Sequence, residues 1–113
     1  MNRSQQMATR ALERVQAVQA AQRAEYKSLA MKAPVLVHQS GLVQALVFIQ
    51  SRGAVGVALL NDLAQILTGN AGQGVAFTNE ARDLELSAYL VRTHEVIQAL
   101  TWLRRFVQIE MGG

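Results

Sequence analysis

The stretch NEARDLELSAYLVRTHEVIQALTWLRRFVQI, residues 79–109, contains neither glycine nor proline and repeats its apolar residues at helical spacing. Leu86, Tyr89, Leu90, Thr93, Val96, Ile97, Leu100, Leu103 and Val107 share one side of a helix that should start at residues 79–83 and end near Ile109. A packing face of that length can close a helical bundle. Trp102 and Phe106, at i and i+4, point away from its centre. They either fill a second groove within the bundle, which needs large side chains to reach across it, or contact another subunit. Arg104 and Arg105 beside them either complement the negative end of the helix or meet a polyanion or acidic partner.

At the other end of the chain, residues 4–33 also lack glycine and proline and are rich in alanine, glutamine, arginine and glutamate. One long helix is the simplest expectation, roughly 45 Å at 1.5 Å per residue. Ala11, Val15, Val18, Tyr26 and Leu29 fall on one sector of it, interrupted by Gln22. Arg10 and Arg14, with Arg3 beyond them, line one flank of that stripe, and Arg23 and Lys27 line the other. Residues 1–32 hold six basic and two acidic side chains, whereas residues 33–113 hold five basic and six acidic, so the overall charge of +3 arises in the opening segment. Such a ridge suits phosphate contacts along a groove, and suits simple solvation equally.

Between these helices, Pro34 should interrupt or redirect the chain, with a short apolar turn or helix ending near Ser40 and Gly41. Leu42, Leu46 and Ile49 then mark a short buried helix, widened by Phe48 and stopped near Gly53. Gly53 and Gly56 should bracket a turn before a helix over residues 57–67, whose Leu59, Leu60, Leu63, Ile66 and Leu67 repeat at helical spacing. Residues 68–79, with Gly69, Gly72, Gly74, Asn70 and Asn79, read as a flexible loop whose Val75, Ala76 and Phe77 pin its middle to the core. The expected fold is all-α, a compact small helical bundle with long N-terminal and C-terminal helices, forming a single domain over residues 1–113.

Composition narrows the functional classes. With no cysteine, thiolate catalysis, disulfides and cysteine-based metal sites are excluded, and a cytoplasmic setting fits. The first residues lack the continuous apolar core of a signal peptide, and no stretch approaches the roughly 20 apolar residues of a membrane span. Neither export nor a membrane partner is expected.

No catalytic constellation emerges. The glycines at 69, 72 and 74 are followed by no phosphate-binding lysine and lack the strand-to-helix setting of a phosphate loop. His38 and His94 lie in different segments, and His94 and Glu95 point about 100° apart on a helix. Asp62, Glu80, Asp83 and Glu85 are the other candidate acidic catalysts, but Glu80 and Asp83, expected near a helix beginning, suit free amides better than an acid–base pair. No enzyme activity, cofactor or metal is expected. A helix-turn-helix DNA reader fits poorly, because the helix after the Gly53 to Gly56 turn is strongly apolar.

The string KAPVLVHQSGLVQALVFIQSR, residues 32–52, closely resembles the central segment of the small-subunit family of type III-B CRISPR RNA-guided effector complexes, the Cmr small subunits. The similarity resumes at YLVRTHEVIQALTWLRRF, residues 89–106, and with the leucine-rich middle helix and the opening helix it spans nearly the whole chain. The resemblance implies a small α-helical protein that stacks in a filament beside the crRNA-bearing backbone and helps hold target RNA in antiviral defence. Its implied partners are the effector-complex proteins, namely backbone and large subunits and other copies of itself, together with the target RNA. Cutting belongs to a neighbouring backbone subunit.

Under this resemblance Gly41, Leu42, Leu46 and Phe48 shape the fold. Arg10, Arg14, Arg23 and Lys27 are the leading candidates for the RNA-facing channel, followed by Arg52, Arg92, Arg104 and Arg105. Trp102 and Phe106 are the candidate subunit interface. Contacts to phosphates would be independent of base sequence, leaving recognition to guide and target pairing. The alternative is a protein–protein scaffold with little direct RNA contact, in which Trp102, Phe106 and the exposed side of the last helix matter most.

Overall fold

A computed structural model of the chain describes residues 1–112; Gly113, the last residue of the expected domain, lies outside the described residues. Its elements are α1 (Arg3–Gln16), a 3-10 turn (Ala20–Gln22), α2 (Arg23–Ser40), α3 (Leu42–Gln50), α4 (Gly53–Thr68), α5 (Gly74–Arg82) and α6 (Leu86–Glu110), with no strand among the described residues. The 25-residue α6 is the spine. Val96, Ala99, Leu100, Leu103 and Val107 are buried along it, at i, i+3, i+4, i+7 and i+11, and α1, α2 and α4 pack against it. Full burial of each large aliphatic side chain stabilises the fold by about 1.5–3 kcal/mol.

The long opening helix is two helices. Arg3 of α1 reaches Glu95 and Gln16 reaches Glu110, so α1 runs in the same direction as α6. Arg23, at the start of α2, donates to the Glu110 carbonyl, while Val43, just past the end of α2, donates to the Tyr89 hydroxyl near the start of α6, so α2 runs the opposite way. The reversal occupies residues 17–22, where Gln19 is extended at ψ 141°. Nothing there forbids a helix locally. A rod of roughly 45 Å would overrun a molecule whose longest dimension is 40 Å, whereas folding back places Met7, Ala11 and Val15 of α1 and Tyr26, Leu29 and Ala30 of α2 in one core. Burial outweighs the helix propensity of Ala17, Ala20 and Ala21.

Pro34 does not redirect the chain; it lies inside α2 and is buried. It supplies no amide to the preceding turn, a cost of about 3 kcal/mol in a helix interior, which burial of Ala30, Ala33, Pro34 and Val37 on the same helix offsets. The helix ends at Gly41, whose φ of 84° is accessible to glycine at little cost. Tyr89 of α6 then caps α3, its hydroxyl accepting the otherwise unpaired Val43 amide at 3.1 Å.

Three further expectations are corrected. Gly56 is not in a turn: α4 already begins at Gly53, and Gly56 is buried within it. A Cβ there would stand 1.8 Å from the Ile49 carbonyl oxygen of α3, so glycine allows the two backbones to touch. The expected loop over residues 68–79 contains α5, where Phe77 and Ala81 enter the core beside buried Thr78. Consequently α6 starts at Leu86 rather than residues 79–83, and Leu86 and Leu90, expected on the packing face, are 73% and 59% exposed. The first turns of α6 point Tyr89 and Arg92 toward α3 and α5, which leaves Leu86 and Leu90 on the outer side.

Gly56→Ala is expected to destabilise the protein by about 1–3 kcal/mol through overpacking, read as a lower urea midpoint with an unchanged slope. A midpoint equal to wild type would show that α3 and α4 separate freely.

Candidate nucleic-acid interface

Cations on the α1–α2 hairpin are largely occupied by the fold. Arg10 donates to the Ile66 carbonyl at 3.0 Å, in the last turn of α4. Arg23 donates to the Glu110 carbonyl at 2.8 Å and Lys27 to the Gly112 carbonyl at 3.4 Å, at the end of α6 and just past it. Last-turn carbonyls have no partner within their own helix and form the negative end of its dipole. Arg10 and Arg23 therefore cap the ends of two other helices, and Lys27 holds the residue just past the second of them. All are half-buried.

Arg14 has a different partner. Its Nε donates to Asp62 Oδ1 at 2.8 Å, and the Tyr26 hydroxyl donates to Asp62 Oδ2 at 2.6 Å. The cluster joins α1, α2 and α4 around a buried carboxylate. Burial pushes the Asp62 carboxyl above its ordinary value, an effect that the bonds from Tyr26 and Arg14 oppose. Burial also raises the Tyr26 phenol well above its ordinary value, with the Asp62 charge adding to the effect. This accounts for Asp62 as a structural acid.

Arg92 is likewise engaged. It contacts Glu80 at 3.0 Å and Glu95 at 3.8 Å, and its guanidinium covers the Phe77 ring at 4.6 Å, tying α5 to α6. Its Nη1 is buried without a partner. Glu80 is thus inside α5, not at a helix beginning, and Asp83 is the residue that ends α5. Among the described residues no three of His, Asp and Glu converge on a common point that could hold a metal ion.

Lys32, Arg52, Arg104 and Arg105 form no ion pair and donate no side-chain hydrogen bond among the described residues. Lys32, Arg52 and Arg105 are exposed and Arg104 half-buried. Arg105 lies 5.5 Å from the Trp102 ring, and Trp102 stacks on Phe106 with centroids 5.8 Å apart. Both rings are partly buried against the core. They share with Glu95, at i, i+7 and i+11, the flank of α6 reached by Arg3 of α1.

Sequence reasoning passed over Lys32 and assigned Phe48 to the buried face of α3, yet Phe48 is 40% exposed and Arg52 lies 5.9 Å from its ring centre. The available signal was modest: Phe48 and Arg52 are four apart, and Lys32 has no acidic residue one helical turn away.

Residues 3–110 match the model of the family described as CRISPR-associated protein (Cas_Cmr5). The chain is 46% identical over 108 residues to the CRISPR system Cmr subunit Cmr5 of Thermus thermophilus, covering 94% of this chain and 93% of the relative. It also superposes on the crystal structure of a CRISPR-associated Cmr5 family protein from Thermus thermophilus with a TM-score of 0.89, at 44% identity and 96% coverage of each chain.

Tyr26→Phe removes a bond to a charged acceptor and is expected to cost about 1.5–3 kcal/mol in chemical unfolding; no loss would mean that Arg14 alone satisfies Asp62. A pH series tests the carboxylate. Because its pKa is raised from 3.8 in the fold, the folded state holds the proton more tightly, and this group favours folding more as pH falls toward 3.8 and less as pH rises through the folded value. The stability of wild type relative to Asp62→Asn should therefore increase on acidification from neutral pH. A decrease would reverse the assignment.

Proposed function

Because the chain belongs to the Cmr5 family of CRISPR-associated proteins, we propose that it is the non-catalytic small subunit of a type III-B RNA-guided complex in the cytoplasm. It acts as one domain over residues 1–113, stacks with further copies of itself beside the backbone and large subunits, and helps hold target RNA by its phosphates. One observation carries the RNA reading: Lys32, Arg52, Arg104 and Arg105 have neither an ion-pair partner nor a side-chain hydrogen bond among the described residues, and the three arginines among them offer planar donors. Arginine suits phosphate through its planar set of donors. A few contacts per copy suffice where repeated copies raise the effective concentration of sites.

Arg10, Arg14, Arg23 and Lys27 serve the fold first in this reading, and Arg92 joins α5 to α6. Each hairpin cation is still half-buried rather than enclosed, so RNA contact from them is secondary. Exposed Leu86, Leu90 and Val91 at the start of α6 favour a second reading, a scaffold held mainly by protein contacts. Trp102 and Phe106, partly buried against the core, contribute to it only through the surface they leave exposed.

In the assembled complex, the combined Arg52→Gln, Arg104→Gln and Arg105→Gln variant should bind target RNA more weakly with no change in fold. Its salt dependence should fall by about 0.7 in log–log slope for each single-strand phosphate that is no longer neutralised. Unchanged affinity and slope, together with intact assembly, would leave the scaffold reading.

A further inference from the structure

A cleft of about 120 Å³ opens between α2 and the junction of α3 with α4. Leu29 and Val55 contribute apolar wall, and the exposed Phe48 and Arg52 form one side. Across the cleft, α2 supplies Glu25, Ser28 and Lys32 at i, i+3 and i+7. Neither Lys32 nor Arg52 has a carboxylate within ion-pair distance among the described residues.

This combination departs from a merely solvated surface. A 40% exposed aromatic ring stands near the end of α3, with a guanidinium 5.9 Å from its centre and a second cation on the α2 side of the cleft. We propose that the cleft holds one unpaired nucleotide of a single-stranded RNA, with its base against Phe48 and its phosphate between Lys32 and Arg52. The proposal rests on the RNA-holding role above and adds a base-stacking contact to it. Glu25, two helical turns from Lys32, repels phosphate from its own end of the cleft and so gives the nucleotide a direction.

The chemistry favours this occupant over the alternatives. Every base has a π face, so stacking on Phe48 tolerates any sequence, as a subunit serving many guides requires. In a duplex the base faces are already stacked, and a paired helix leaves the ring without a partner. An acidic peptide would satisfy Lys32 and Arg52 but make no use of the exposed ring. The Ser51 hydroxyl donates to the Phe48 carbonyl at 2.6 Å, which holds the turn carrying Arg52 close to the ring.

The full-length protein is titrated with fluorescein-labelled single-stranded oligocytidylate, with the same strand carrying an abasic centre, with duplex RNA and with polyglutamate. Phe48→Leu keeps an apolar side chain and should weaken single-strand binding about tenfold, while Phe48→Trp retains it and Arg52→Gln lowers the salt slope. Duplex binding should not respond to Phe48→Leu. Circular dichroism and thermal unfolding accompany each variant, and the Phe48→Trp result separates loss of the ring from loss of fold.

Single-strand affinity unchanged by Phe48→Leu, in a protein that still binds RNA through Arg104 and Arg105, overturns the cleft and leaves the RNA-holding role standing. Wild type that binds neither strand form overturns the cleft, and failure of the assembled complex to lose RNA affinity in the triple arginine variant would separately remove that role. Polyglutamate competing as well as RNA, with no penalty for Phe48→Leu, overturns the proposal in favour of an acidic protein partner.

Discussion

Asp62 imposes the constraint on which the arrangement of α1, α2 and α4 depends. Arg14 and Tyr26 both bond to its carboxylate, yet they are twelve positions apart in the chain, about 18 Å along a straight helix. Meeting at one buried group requires the chain to reverse between them. The turn at residues 17–22 does so, and it brings α1 and α2 onto α6 in opposite directions. Removing one partner would leave a buried carboxylate incompletely paired, a heavier penalty than the bond itself contributes.

Electrostatics and architecture are coupled through this hairpin. Arg10, Arg23 and Lys27 reach carbonyls at or just past the ends of α4 and α6, Arg14 reaches Asp62 and Arg3 reaches Glu95, so most of the hairpin's cations have partners within the fold. Much of the positive charge of the opening segment is therefore engaged in holding the helices together. The cations without such partners are Lys32 on α2, Arg52 at the α3–α4 junction, and Arg104 and Arg105 on α6. A small chain with a net charge of only +3 thus uses some of its cations to join helices and leaves others at the surface.

Much of the framework was legible from local pattern. Apolar spacing identified the buried stripe of α6 from Val96 to Val107, the extent of α3, the helical character of α4, and the stop at Gly41. Residues 32–52 and 89–106 carried the family resemblance. Gln22 interrupts the first stripe within the reversal, but composition there offers no breaker and the segment reads as one helix. The glycines around α5 misled, because Gly74 permits close approach to Asn61 rather than loop freedom.

Spacing within a helix could therefore establish the all-helical class and most of the core, since those depend on neighbours three or four residues away. It could not allocate the charged side chains. The acceptors for Arg10, Arg14, Arg23 and Lys27 lie 56, 48, 87 and 85 residues distant, and a hydrogen bond over such separations exists only once the helices have packed. The same holds for exposure: Phe48, Leu86 and Leu90 have the apolar character of core residues, and only the packing of the helices decides that they face outward.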